Sequence, residues 1–167
     1  MVLTQFLSPE NIHHNVVISS KKRLLEFIGK IASDAFQKQY HDHVCPVECF
    51  SSLFKREKLG CTYINNGIAL PHAKLAVNPE IEIKPIAIFL KLEQPIDYEV
   101  NDNKEVDLVY ALLFPEGTCT QYKEVFQTIV HKLNDKNLAK QLRAAQSADE
   151  IWQLLEYTDK QVNEEID

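Results

Sequence analysis

Ile64-Asn65-Asn66-Gly67-Ile68-Ala69-Leu70-Pro71-His72-Ala73-Lys74 sets a glycine turn, a short apolar strand and a Pro-His pair in immediate succession. Ile68 to Leu70 can anchor a buried strand, and Pro71 fixes the exit while removing a backbone donor where the chain leaves the sheet. The imidazole of His72 is therefore expected at a rigid edge, not on a loose loop. A Pro-His pair alone is weak evidence of chemistry, since a histidine so placed can simply hydrogen-bond locally. Whether it carries chemistry depends on what the rest of the chain brings to it.

Downstream of this stretch, Ile83 to Leu92 is a strand whose centre, Ile86 to Leu90, is continuously apolar, as expected when both faces are covered. Pro95-Ile96-Asp97 is read as an interruption. Val106 to Phe114 is the second strong strand, stopped by Pro115-Glu116-Gly117. Asp107 at its entry is read as a structural residue capping a local turn, with partner binding as the alternative.

Upstream, Leu3, Phe6 and Leu7 fasten the segment from Val2 to Pro9 to the body of the domain, and Asn15 to Ile18 forms a short strand. Ser19-Ser20 offers a cap for a long helix with Leu24, Leu25, Ile28, Ile31, Ala32, Ala35 and Phe36 on one face, ending near Tyr40. Gly29 costs that helix about 1 kcal/mol relative to alanine unless close packing uses its small size. His41, Asp42 and His43 read as a turn between helices. Pro46 opens a second helix that buries Val47, Phe50, Leu53 and Phe54 and ends at Leu59-Gly60. Arg56, on its last turn, is either a surface residue or a planar fork of donors aimed at an oxyanion beside His72.

In the C-terminal third, Thr118 and Gln121 are expected to form a capping box for a helix carrying Tyr122, Val125, Phe126, Ile129, Val130 and Leu133 on its buried side. Asn134-Asp135-Lys136 breaks that helix, Leu138 and Leu142 mark a shorter one, and Ser147 with Glu150 caps the last, with Ile151, Leu154 and Leu155 inward. From Asp159 onward the chain is mostly polar and is expected to be a mobile tail. The domain is thus bounded at 1–158, with 159–167 outside it.

A chain of 167 residues, 45% hydrophobic, holds one domain with an adequate core. The formal net charge of -6, with lysines and arginines interspersed among acids, leaves no footprint for nucleic acid. Cys45, Cys49, Cys61 and Cys119 are too few and scattered for a disulfide scaffold, and no Cys/His set has ordinary zinc spacing, so no metal site is expected. The N-terminus lacks the basic-then-apolar pattern of a secretion signal, and no uncharged apolar run approaches the ~20 residues that span a bilayer. The expectation is a cytoplasmic protein without membrane insertion. Helix, helix, strands, helices is an α+β order that favours an α/β/α sandwich. Irregular alternation argues against a doubly wound nucleotide fold, and neither GxGxxG nor GxxxxGK occurs. If phosphate is handled, a side chain carries it.

Arg56-Glu57-Lys58-Leu59-Gly60, Asn66 to His72, Asp102-Asn103 with Val106-Asp107-Leu108, and Leu142 to Ser147 together resemble the fructose/mannitol/nitrogen class of IIA proteins of the bacterial phosphoenolpyruvate-dependent sugar phosphotransferase system. The likeness covers roughly Leu3 to Thr158 and is strongest toward the nitrogen-regulatory IIA protein. It implies a three-layer α/β/α sandwich with a mixed central sheet and a shallow active-site depression. It also implies that His72 accepts a phosphoryl group on its ε nitrogen from the histidine of an HPr-like carrier, with Arg56 contacting the phosphoryl group or the donor. The resemblance implies further that no cofactor is needed and that the protein is a phosphocarrier rather than a conventional turnover enzyme.

Two departures from the family pattern bear on function. A second active-site histidine commonly stands in a Thr-His-Leu pattern, where this chain has Thr120-Gln121-Tyr122. Gln121 can donate a hydrogen bond to a phosphoryl oxygen but cannot become a cation. His131 lies ten residues, about 15 Å, farther along the same helix and does not replace it. Tyr63-Ile64-Asn65 is also bulkier than the usual turn and is expected to narrow the carrier docking surface. Three readings follow: a phosphoryl-accepting regulator, a sugar-specific IIA passing phosphate to a IIB cysteine, and a binding regulator without phosphotransfer. No pattern names a kinase or transporter partner, and the oligomeric state is open.

Overall fold

The computed structural model describes residues 2–41, 43–118 and 120–166. Asp42 and Cys119, each part of an expectation above, lie outside them. Six strands, β1 (Leu7–Val16), β2 (Tyr63–Asn65), β3 (Ile68–Ala69), β4 (His72–Leu75), β5 (Ile86–Glu99) and β6 (Lys104–Pro115), form one mixed sheet. Its order is β1-β5-β6-β3-β2, with β4 also paired to β6. The helices are α1 (Lys21–Tyr40), α2 (Pro46–Leu59), α3 (Lys123–Leu133), α4 (Lys136–Ala144) and α5 (Ala148–Ile166).

Alternation along β5 and β6 divides the core in two. Ile86, Ile88, Leu90, Val109, Ala111 and Leu113 meet Leu24, Ile28, Phe36 and Leu53 of α1 and α2. Ala87, Phe89, Leu108, Tyr110 and Leu112 meet Ile129, Leu133, Leu142, Ile151 and Leu155 of the other three helices. Both strands are buried on both faces, which explains their uninterrupted apolar runs. The three-layer α/β/α sandwich with a mixed sheet is therefore the observed fold.

The first helix follows its sequence closely. Ser20 caps it, its side chain accepting from Arg23 N–H at 3.2 Å. Gly29 serves close packing, since a Cβ there would lie 3.0 Å from both Phe50 N and Pro46 O of α2. That approach turns the buried face of α2 toward Cys49 and Leu53, leaving Val47 69% exposed, contrary to the expected face.

Several local expectations give way to tertiary pairing. The N-terminal strand is ten residues long and begins at Leu7, because Leu7, Ile12 and Val16 pair in parallel with β5 through register irregularities that accommodate Pro9. β5 continues past Pro95, which falls in the register shift between Lys91 and Ile96. α3 starts at Lys123 without a side-chain cap, and Thr118 Oγ1 instead donates to Pro115 O at 2.6 Å, so the expected capping box is absent. The last helix does receive its cap from Ser147, whose Oγ accepts from Glu150 N–H at 3.1 Å while Glu150 Oε2 accepts from Gln146 N–H at 2.8 Å.

The chain does not become an unattached tail at Asp159. That residue is only 1% exposed on α5, and its carboxylate accepts from Leu3 N–H, Thr4 N–H, Thr4 Oγ1 and buried Lys132 Nζ at 2.6–3.1 Å. Tyr110 OH donates to Leu3 O at 2.7 Å, so the N-terminal segment is held from two layers. Among the described residues no helix is long and apolar enough to cross a membrane.

Candidate active site

β3 and β4 are two halves of one edge of β6. Ile68 and Ala69 pair with Leu108 and Val109, and His72 to Leu75 pair with Leu112 to Pro115, so the offset is unchanged across Leu70-Pro71. Pro71 has no N–H for the ladder but its carbonyl accepts from Leu112 N–H at 3.0 Å. His72 therefore opens a paired strand, and its backbone is fixed by β6.

The hairpin before it is braced from outside. Asn66 and Gly67 both have left-handed backbones, with φ of 55° and 77°. Arg143 of α4 donates through Nε to both carboxylate oxygens of Asp107 at 3.1 and 2.8 Å, and its Nη2 donates to Asn66 O. A Cβ on Gly67 would overlap Arg143 Nη2 and come within 3.1 Å of Asp107 Oδ1. Asp107 thus has a structural role, as a partner for Arg143 rather than as a turn cap. Tyr63 OH accepts from Gly67 N–H at 3.0 Å, so its bulk goes into this hairpin.

Two hydrogen bonds orient the imidazole of His72. Nδ1 lies 2.8 Å from Leu70 O, and Arg56 Nε donates to Nε2 at 3.2 Å. A carbonyl on one nitrogen and an N–H on the other select the tautomer with the proton on Nδ1 and the lone pair on Nε2. Leu70 O is available because of Glu57. Leu70 N–H donates to Thr62 O at 2.9 Å, but Thr62 N–H donates to Glu57 Oε1 at 2.8 Å instead of returning the bond to Leu70. Glu57 Oε2 also accepts from Thr62 Oγ1 at 2.7 Å, and Lys21 Nζ pairs with Oε1 at 2.9 Å. Arg56, one residue earlier on α2, donates through Nη1 to Gly60 O at 2.8 Å, fixing its fork against the ring.

Burial has the largest influence on His72 and lowers its pKa. The Leu70 carbonyl opposes this, the Arg56 charge lowers it further, and Glu57 raises it, leaving the net value below the ordinary 6.5. The ring is thus neutral at pH 7 and presents a nucleophilic nitrogen.

His72 opens into a cleft of about 690 Å³ between α2 and α3. Its apolar wall is Leu59, Phe114, Tyr122 and Phe126, and the Phe126 ring centroid is 4.7 Å from that of His72. Lys55, Arg56, Lys74 and Lys123 also line it, with Ser52, and none of the lining residues is acidic. In a chain with net charge -6, the cleft is a local concentration of positive charge. Among the described residues no group of three or more His, Cys, Asp or Glu is placed to hold a metal.

The structure brings His72 and Arg56 together but puts Gln121 elsewhere. Gln121 lines a separate groove of about 530 Å³ with Glu82 and Glu116, beyond the Tyr122 ring that borders both spaces. Tyr122 is held there by Phe6, edge-on at 5.5 Å, and by Phe114 at 6.2 Å. Sequence reading missed the contributions of Glu57, Thr62, Phe126 and Lys123. Only Lys123 left a local signal, being a cation in the first turn of a helix, where the macrodipole disfavours it.

The sequence matches the family profile described as "Phosphoenolpyruvate-dependent sugar phosphotransferase system, EIIA 2" over residues 5–158. A nitrogen regulatory protein homolog of Haemophilus influenzae is 48% identical over 160 residues, which cover 96% of this chain and 94% of that one. The crystal structure of nitrogen regulatory protein IIA-Ntr from Neisseria meningitidis matches with a TM-score of 0.79 at 28% identity, covering 93% of this chain and 99% of that chain. IIA mannitol from Escherichia coli has the same fold, with a TM-score of 0.70 at 21% identity over 89% and 97% of the two chains. The chain belongs to the EIIA type-2 family of the phosphotransferase system, and within it to the nitrogen-type IIA proteins.

Proposed function

We propose that this protein accepts a phosphoryl group on His72 Nε2 from the histidine of an HPr-like carrier and signals through protein binding that depends on its phosphorylation state, in the cytoplasm. The observation that carries the reading is the imidazole geometry: Nδ1 against Leu70 O, Nε2 facing Arg56, in a cleft lined by cations and no acids.

In the transfer step the Nε2 lone pair attacks phosphorus in line with the carrier's P–N bond. That bond breaks with its electron pair going to the carrier nitrogen. Nδ1 keeps its proton throughout, and Leu70 O stabilises the positive charge the ring acquires as the N–P bond forms. Arg56 Nε–H, which points at the lone pair before reaction, moves its hydrogen bond to a phosphoryl oxygen. Its second anchor on Gly60 O keeps the fork in place while it does so.

The test is intact-protein mass after incubation with phosphoenolpyruvate, enzyme I and an HPr-like carrier. An acid-labile gain of about 80 Da that is absent in His72→Ala is expected. Absence of any adduct, with a carrier that phosphorylates another IIA protein, overturns the reading and leaves a binding regulator.

A further inference from the structure

We infer that Lys123 is a second phosphoryl-contacting residue of the His72 site, supplying from α3 the cation that faces Arg56 across the ring. The inference rests on the phosphoryl-accepting reading of His72 and assigns the group that neutralises the other side of the transferred phosphate. Lys123 and Phe126 are three residues apart on α3 and so share a helix face. The Phe126 ring centroid is 4.7 Å from that of His72, and Lys123, one turn nearer the N-terminus of α3, lines the same cleft. Arg56 reaches His72 Nε2 from α2, in the opposite helical layer.

Charge and context agree with this placement. Lys123 makes no salt bridge among the described residues, and none of the cleft-lining side chains is a carboxylate. Its position in the first turn of α3 works against the helix macrodipole, so it does not stabilise the helix there. Gln121 is excluded from the role by position, because it sits beyond Tyr122 beside Glu82 and Glu116, where a dianion is repelled. In the transition state, charge spreads over the equatorial phosphoryl oxygens, and two cations from opposite walls can each take one of them.

The experiment compares two phosphoryl donors on the full chain. Phosphoramidate has no docking surface; its P–N bond breaks as Nε2 attacks, and the protonated nitrogen leaves as ammonia with the bonding pair. The HPr-like carrier needs a docking surface. Lys123→Met is expected to slow His72 phosphorylation roughly 10- to 100-fold with both donors, with Lys123→Arg restoring the rate to within a few-fold. Lys123 is exposed, and an unchanged thermal transition of the methionine variant confirms its fold. A wild-type rate for Lys123→Met with phosphoramidate overturns the inference, and slowing with the carrier alone assigns Lys123 to protein docking instead. If wild-type protein takes no phosphate from either donor while a reference IIA protein does, the His72 reading itself fails, and this inference with it.

Discussion

Arg56 Nε and His72 Nε2 are 3.2 Å apart, and the same guanidinium is tied through Nη1 to Gly60 O at 2.8 Å, so one side chain bridges the end of α2 to the imidazole at the start of β4. The bond to Nε2, with Leu70 O on Nδ1, selects the tautomer that carries its proton on Nδ1, and under the proposed function it lies where a phosphoryl oxygen would arrive. A residue that served only the surface would need neither contact.

This double attachment makes Arg56→Lys a sharp probe. Lysine keeps the charge but, as a flexible ammonium, does not hold Gly60 O and the imidazole in one plane. The rate of His72 phosphorylation is expected to fall about 100-fold, with little change in the midpoint of urea unfolding. A rate within a few-fold of wild type would mean that charge alone suffices there.

The titration of His72 gives a second check. Its pKa lies below 6.5 in the folded state, so an NMR titration of the ring is expected to have its midpoint below that value. The neutral ring then persists to lower pH than in an ordinary histidine, and the phosphorylation rate is expected to reach half its plateau below pH 6.5. For stability the sign runs the same way: the unfolded chain binds this proton first, so the contribution is complete above 6.5 and declines as pH falls from 6.5 to the folded value. A midpoint at or above 6.5 contradicts the burial of the ring.

Asp159 is expected to be the most sensitive charged position outside the site. Burial opposes its ionisation, but Thr4, the Leu3 and Thr4 amides and Lys132 together hold its pKa below the ordinary carboxylate range. Asp159→Ala leaves Lys132, 8% exposed, without its partner and should cost about 3–5 kcal/mol in denaturant unfolding. Adding Lys132→Met should recover part of that loss. In the wild type this contribution is present above the unfolded Asp value near 3.9 and is lost as pH falls through the lower folded value.

The comparison of sequence with structure turns on the range of the contacts. Ser20 and Ser147 cap their helices as read, and the apolar runs of β5 and β6 form the doubly covered centre of the sheet. The proline exit and the helix end marked where His72 and Arg56 lie in the chain, but that their side chains meet at 3.2 Å depends on α2 packing beside β4 and has no local signal. β1 was obscured by Pro9 and by polar residues, since its register depends on β5, more than seventy residues away.

The sequence by itself determined the buried face of α1, the two central strands and the proline exit that precedes His72, because periodicity, caps and proline geometry act over a few residues. Only the tertiary structure decided that Thr62 N–H goes to Glu57 and leaves Leu70 O for the imidazole, and that Asp159 anchors Leu3 and Thr4. It also put Lys123 in the cleft and Gln121 outside it, although they are two residues apart, because the Tyr122 ring, wedged between Phe6 and Phe114, stands between the two spaces. Phe6 reaches Tyr122 from just before β1, at the far end of the chain, and a contact made across that separation leaves no local pattern to read.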